Sequence, residues 1–198
     1  MTSRALEVRP LAAHELHERL DEMAALRMEV FAAFPYLYAG DVAYERRYLR
    51  PYLESAQAVV VAAIADGRLV GMSTAIPMEE HANEFAQAFV DRPEALEDIL
   101  YCAESVLLPA WRGRGVGHRF FDWREDHGRA LGRRHSAFCS VVRPADHPAR
   151  PADYRPLDGF WRQRGYQPLP GVSAVFHWRD IGEQAESDKR LQFWMKAL

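Results

Sequence analysis

The sequence predicts a single α/β domain of the α+β type over residues 1–198, in which about seven strands are interleaved with helices. Three observations predict it. Apolar residues switch repeatedly between alternating and helical spacing. The dipeptide Asp66-Gly67 joins two apolar runs in the way a tight antiparallel hairpin requires. No repeat, low-complexity tract or shift in composition divides the chain. With 48% hydrophobic residues, a chain of 198 residues buries about 70% of the surface its unfolded form exposes, which excludes a disordered or collagen-like polymer.

Leu6 to Arg9 reads as a short first strand. After Pro10, Leu16, Leu20, Met23, Val30, Phe31 and Phe34 recur at helical spacing and predict one core-facing helix. Proline and glycine in Phe34–Asp41 end it, and Asp41 is placed to cap a second helix carrying Tyr44, Tyr48 and Leu49, which Pro51 bends or stops. Ala58–Ala65 and Leu69–Ile76 form the hairpin about Asp66-Gly67. A polar helical stretch follows from His81 to Val90. Ile99–Leu108 reads as one buried strand interrupted by a single acid, Glu104, and closed by Pro109. Val116, Phe120, Phe121 and Leu131 define a third helix ending at Gly132. His135–Val142 is a strand, Arg143–Asp158 a proline-rich loop long enough to carry function, and Phe160–Arg164 a short helix before Gly165. Val172–Trp178 and Leu191–Met195 alternate as closing strands.

Charge and composition narrow the function classes. With 25 basic against 28 acidic residues the formal charge is −3, so no basic field exists to hold nucleic acid by counterion release. The longest apolar run, Ala58–Ala65, falls far short of the ~20 residues a membrane-spanning helix needs, and the first residues carry no apolar signal-peptide core. Cys102 and Cys139 have neither metal-type spacing nor a bridge framework. A cytoplasmic protein without nucleic-acid or membrane partners is expected.

The chemistry concentrates in Ser105-Val-Leu-Leu-Pro-Ala-Trp-Arg-Gly-Arg-Gly-Val-Gly-His118. Three glycines at alternate positions between a strand and a helix leave consecutive N–H groups free to converge on an anion at the helix N-terminus. Its plainer alternative is a turn that only tightens the link. The dinucleotide fingerprint needs glycine or alanine where His118 stands, and a Walker loop needs a lysine that the chain lacks before Lys189. Arg112-x-x-Gly115-x-Gly117, following an apolar strand and opening an amphipathic helix, resembles the signature of the GNAT superfamily of acyl-CoA N-acyltransferases, and the element order fits that family over nearly the whole chain.

The resemblance implies a mixed, mostly antiparallel sheet flanked by helices, with two central strands splayed apart. It implies acetyl-CoA or another acyl-CoA as co-substrate, with no metal. The turn Arg112, Gly113, Arg114, Gly115, Val116, Gly117 and His118 would bind its pyrophosphate, and the strand backbone at Val106 and Leu107 its pantetheine arm. A short acyl group would then pass to an amine by direct attack.

Direct attack needs an unprotonated amine, and an alkylammonium, with a pKa near ~10.4, must first lose a proton. Glu104, the acid inside the apolar strand, is the candidate base; its alternative is a carboxylate paired with an arginine at the sheet rim. The family's usual acid is a tyrosine in the last helix, where this chain has Trp161, and an indole cannot serve. Tyr154, seven residues upstream, is the alternative phenol, unless it only packs the proline-rich loop; His147 or solvent are further donors.

The helices after the first strand and the loop before the last helix wall the acceptor site in this architecture, which nominates Arg27, Tyr36, Tyr38, Tyr44 and His147 beside Tyr154. Arg27, on an apolar stripe, either snorkels to water or meets an anion. Aromatics mixed with charge suit a small-molecule amine, polar or amino-acid-like. Asp146-His147 and Asp153-Tyr154 lack the spacing of a preorganised metal site. Cys139, in a buried strand without a His–acid partner, reads as core rather than nucleophile. The tail from Asp180 either pairs across a homodimer or closes its own sheet. A catalytically silent acyl-CoA sensor is the rival reading.

Overall fold

The computed structural model describes residues 6–81 and 83–198. Residues 1–5, within the stretch read for a signal peptide, and residue 82, within His81–Val90, lie outside the described residues. In chain order the elements are β1 (Leu6–Pro10), α1 (Ala13–Glu18), α2 (Leu20–Phe31), α3 (Val42–Glu54), β2 (Val59–Ala65), β3 (Arg68–Pro77), α4 (Asn83–Ala88), β4 (Ile99–Tyr101), β5 (Ser105–Leu107), α5 (Val116–Ala130), β6 (His135–Val141), α6 (Asp158–Gln163), β7 (Gln167–Trp178) and β8 (Ser187–Ala197).

One sheet of eight strands runs β1-β2-β3-β4-β6-β8-β7, with β5 paired to β3 beside β4. Its pairings are antiparallel except that between β4 and β6. Helices cover both faces, which explains why β2 is apolar throughout. Val60, Ala62 and Ile64 pack into the layer with α2 and α3, while Val59, Val61 and Ala63 pack into the layer with α5. The mixed, mostly antiparallel architecture therefore stands as expected.

Four expectations change in detail. The first helix divides at Arg19, whose ψ of 8° breaks the helical path between α1 and α2. Pro51 does not end α3, which continues to Glu54. β8 lies between β6 and β7 and is paired on both edges, so the tail closes its own sheet rather than offering this strand to a second copy.

The expected single strand Ile99–Leu108 is two, and this is why eight strands replace seven. Ile76 pairs Tyr101 and Ser73 pairs Ser105, so four steps on this side oppose three on β3. The extra residue is a bulge. Across it, the Cys102 N–H donates to Ala137 O on β6 at 2.8 Å, while the Ala103 N–H donates to Thr74 O on β3 at 3.2 Å. Beyond this point β5 pairs with β3 alone and β6, paired to β8 along its whole length, loses its other neighbour, so the two central strands splay. Gly71 permits β3 and β5 to approach this closely: a Cβ there would lie 2.5 Å from Leu107 Cδ1.

Candidate active site

The bulge places Glu104 at the mouth of the splay, where α2, α3 and the ends of β6, β7 and β8 enclose a cavity of about 90 Å³. Its wall includes Arg27, Phe31, Tyr36, Tyr38, Tyr44, Tyr48, Tyr101, Glu104, Cys139, Phe176 and Trp178. Five sequence candidates, Arg27, Tyr36, Tyr38, Tyr44 and Glu104, thus meet on one surface. Tyr154 and His147 gather elsewhere, around Phe34. The Tyr154 ring stands edge-on to Phe34 at 4.7 Å with the Arg150 guanidinium above it, and the His147 ring lies 5.7 Å from Phe34.

Asp41 caps α3 by accepting from the Tyr44 N–H at 2.8 Å, and this helix then presents Glu45 and Tyr48 one turn apart. Arg27 reaches them from α2. Its Nε donates to Glu45 Oε2 at 2.5 Å, its Nη1 lies 2.9 Å from Glu104 Oε2, and its guanidinium stacks 3.9 Å from the Tyr48 ring centre. The Tyr48 hydroxyl donates to Glu104 Oε2 at 3.0 Å. All three charged groups are buried, at 6%, 0% and 5% exposure for Arg27, Glu45 and Glu104. The nearby Glu104 and Glu45 carboxylates hold the Arg27 pKa well above its ordinary value against the opposing effect of burial. Glu104 Oε1 and Glu45 Oε1 are buried without a hydrogen-bond partner among the described residues. Burial, with the Glu104 charge adding to it, pushes the Tyr48 phenol well up, and burial likewise raises Tyr36 and Tyr38.

Beneath the bulge Arg124 crosses from α5, 1% exposed, and its Nη1 donates to Glu104 O at 3.0 Å. Across the splay the Tyr101 hydroxyl and Cys139 Sγ are 3.2 Å apart, and burial pushes the Cys139 thiol up to about 12. Sequence reasoning passed over Glu45, Tyr48 and Tyr101. The first two carried a signal, an acid and a phenol one turn apart on a capped helix, but their partner lies on another helix. Trp161 packs against Phe138 and Trp194 at 5.0 and 5.2 Å, away from the cavity wall.

From the bulge, β5 leads out to the glycine turn. One edge of β5 pairs β3, and the other is left open along the splay, with Val106 buried and Leu107 half-buried. The turn passes through Gly113 and Gly115 at φ of 72° and 76°, and Gly115 sits at the N-cap of α5. No N–H from Gly113 to His118 donates to an acceptor among the described residues. Arg112, Arg114 and Arg119 form no ion pair among the described residues; Arg112 donates to Leu107 O, Arg114 lies over the Trp111 ring, and Arg119 donates to Val8 O. An exposed loop with unbonded amides, a helix N-terminus and three guanidinium groups is suited to an anion. Among the described residues no three His, Cys, Asp or Glu side chains are grouped to hold a metal ion, and no helix is long and apolar enough to cross a membrane.

Three comparisons bear on this arrangement. Among solved structures, a GCN5-related N-acetyltransferase from Kribbella flavida aligns over 98% of both chains with a TM-score of 0.61 at 17% identity. A ribosomal-protein-alanine N-acetyltransferase from Brucella melitensis aligns over 97% of this chain and 99% of its own, with a TM-score of 0.58 and 14% identity. An acetyltransferase from Salmonella typhimurium, solved with its cofactor acetyl-CoA, aligns over 98% and 94% with a TM-score of 0.57 and 11% identity. At such identities the likeness is one of fold. No curated protein gives a significant match. The profile of the acetyltransferase (GNAT) family, however, matches residues 13–152, most of the chain and the whole stretch from α1 through the glycine turn into the proline-rich loop. By that match the chain belongs to the GNAT acetyltransferase family.

Proposed function

We propose that the protein transfers an acetyl or short acyl group from acyl-CoA to the amine of a small molecule by direct attack. The observation that carries this reading is a continuous path: unbonded amides at Gly113–His118, the open edge of β5, and a cavity containing Glu104 at its inner end. The turn from Arg112 to His118 grips the pyrophosphate, and the main chain at Val106 and Leu107 guides the pantetheine arm. Glu104 accepts a proton from the incoming ammonium. The amine nitrogen then forms its bond to the thioester carbonyl carbon as the carbon–sulfur bond breaks, the departing thiolate takes a proton from a phenol, and the phenolate so formed recovers, directly or through water, the second proton that the nitrogen releases as it becomes an amide. Tyr154 is the donor the sequence nominates, and Tyr101 at the splay is the one the structure adds; turnover of the Tyr154→Phe and Tyr101→Phe variants separates them. Arg27, Tyr36 and Tyr38 contact the acceptor from the cavity wall, with His147 beyond them on the loop. Free thiols at Cys102 and Cys139 support a reducing, cytoplasmic setting.

A silent acyl-CoA sensor is the second reading, favoured by Trp161 at the tyrosine position and by its packing in the aromatic core. Thiol release from acetyl-CoA across a panel of amines decides. Amine-dependent release is the result expected, and coenzyme binding without release for any amine identifies the sensor.

A further inference from the structure

We infer that the acceptor is a small primary amine with an apolar body and no carboxylate of its own, because Arg27 on the cavity wall is already held between two buried carboxylates. The inference rests on the transferase reading above and narrows it. The sequence left an amino-acid-like acceptor open, and recognising one requires a cation free to meet its carboxylate. Among the described residues Arg27 is the one cationic side chain on the cavity wall. Its Nε is 2.5 Å from Glu45 and its Nη1 forms an ion pair with Glu104 at 2.9 Å without an aligned hydrogen bond, so within this triad two acids share one guanidinium and one formal negative charge is in excess. Arg124, the buried cation beneath the bulge, is spent on the carbonyls of Phe120 and Glu104.

Other cations near the wall are committed as well. Arg143 donates to both oxygens of Asp180, at 2.7 and 2.9 Å, and to the carbonyls of Pro35 and Tyr36. Lys189 lies 3.3 Å from Asp180 and beneath the Trp178 ring. Arg47 packs over Tyr44 but does not line the cavity. A bound carboxylate would be a third acid on the one guanidinium of the wall and would face Glu104, and like-charge juxtaposition of this kind costs several kcal/mol, about a hundredfold or more in affinity. An ammonium meets the opposite situation. The excess charge attracts it, and Glu104 Oε1 has an unused acceptor position in a group that is 5% exposed.

Aromatic rings make up most of the remaining wall. Tyr36 and Trp178 stack at 5.8 Å between centroids, and Tyr101 and Phe176 continue the surface. Such a surface buries an aliphatic or flat body and supplies ring faces to the cation.

The test uses the intact protein, acetyl-CoA and two pairs of acceptors in which the members differ only by a carboxylate: phenethylamine against phenylalanine, and isobutylamine against valine. Coenzyme binding is read separately, as the melting shift caused by acetyl-CoA alone. The expected result is a melting shift together with a kcat/KM for at least one amine about a hundredfold or more above that of its carboxylated partner. Equal or better use of phenylalanine or valine, or no thiol release with any of the four while acetyl-CoA still shifts the melting point, overturns the inference and leaves coenzyme binding intact. Absence of the shift brings down the transferase reading and this inference with it. Glu45→Gln removes the excess charge from behind Arg27 and is expected to narrow the amine-to-amino-acid ratio by about tenfold or more. A folded Glu45→Gln protein with an unchanged ratio overturns the electrostatic argument.

Discussion

Arg27 is costly to bury and more costly to remove. Among the described residues it is the single ion-pair partner of two enclosed acids, so Arg27→Met leaves Glu45 and Glu104 without a countercharge in the core, and a loss of about 3–5 kcal/mol is expected in urea unfolding. Glu104→Gln preserves shape and keeps an acceptor for the Tyr48 hydroxyl, so its effect falls on chemistry. Turnover is expected to drop roughly 10²-fold or more, with the acetyl-CoA melting shift unchanged. His81 supplies a pH dependence. Burial lowers its imidazole from 6.5 to about 4, so between these values the unfolded chain carries a proton that the native one does not. Its contribution is fully present above pH 6.5 and is lost as the pH falls towards 4. His81→Phe is expected to flatten that part of the stability profile, checked by urea midpoints at neutral and mildly acidic pH. Arg27 also illustrates what single residues disclose in a sequence. A charge on an apolar stripe left two outcomes open, water or an anion, and nothing local chose between them or named Glu45, which lies on another helix.

Elements set by adjacent residues were legible. Asp66 and Gly67 adopt the positive φ of 51° and 78° that the hairpin needs, Asp41 caps α3, and the glycine turn opens α5. Features set by distant partners were not. The bulge after Tyr101 arises because Cys102 bonds to β6 while Ala103 bonds to β3, and no spacing within Ile99–Leu108 encodes that exchange. β7 exceeds its apolar core at its start and β8 at both ends because β8 pairs with β7 on one side and β6 on the other, which extends polar segments that look like loop. The bulge depends on Arg124, a positioning residue whose guanidinium donates to the Glu104 carbonyl from within the core. Arg124→Met is expected to cost about 1–3 kcal/mol and to speed amide exchange at Ala103 and Thr74. It should lower kcat more than it raises KM for the acceptor, since it displaces Glu104, the proposed base, rather than the aromatic part of the wall.

For the whole molecule, coenzyme binding is coupled to stability. Acetyl-CoA at a hundred times its dissociation constant is expected to add about 2.7 kcal/mol, a melting shift of roughly 5–10 °C for a chain of this size. Gly117→Asp should abolish that shift without unfolding the domain, because a Cβ at this position meets only the Phe160 ring at an ordinary 3.5 Å. The α/β class and most of the element order could be read at this scale from periodicity and turn residues, and the mixed sheet from the family resemblance, whereas the cavity could not, because it is assembled from both ends of the chain. Tyr38 bridges Asp180, the Ala39 N–H donates to Arg179 O and the Ile181 N–H to Leu37 O, so the segment after α2 is stitched to the connection between β7 and β8. Phe176, Trp178 and Leu191 of that terminal hairpin line the cavity, yet they lie beyond residue 152, where the family profile stops. Part of the wall proposed to meet the acceptor is therefore written outside the stretch that carries the glycine turn, and exchanging the final hairpin for a relative's is expected to retune selectivity while that turn is inherited unchanged.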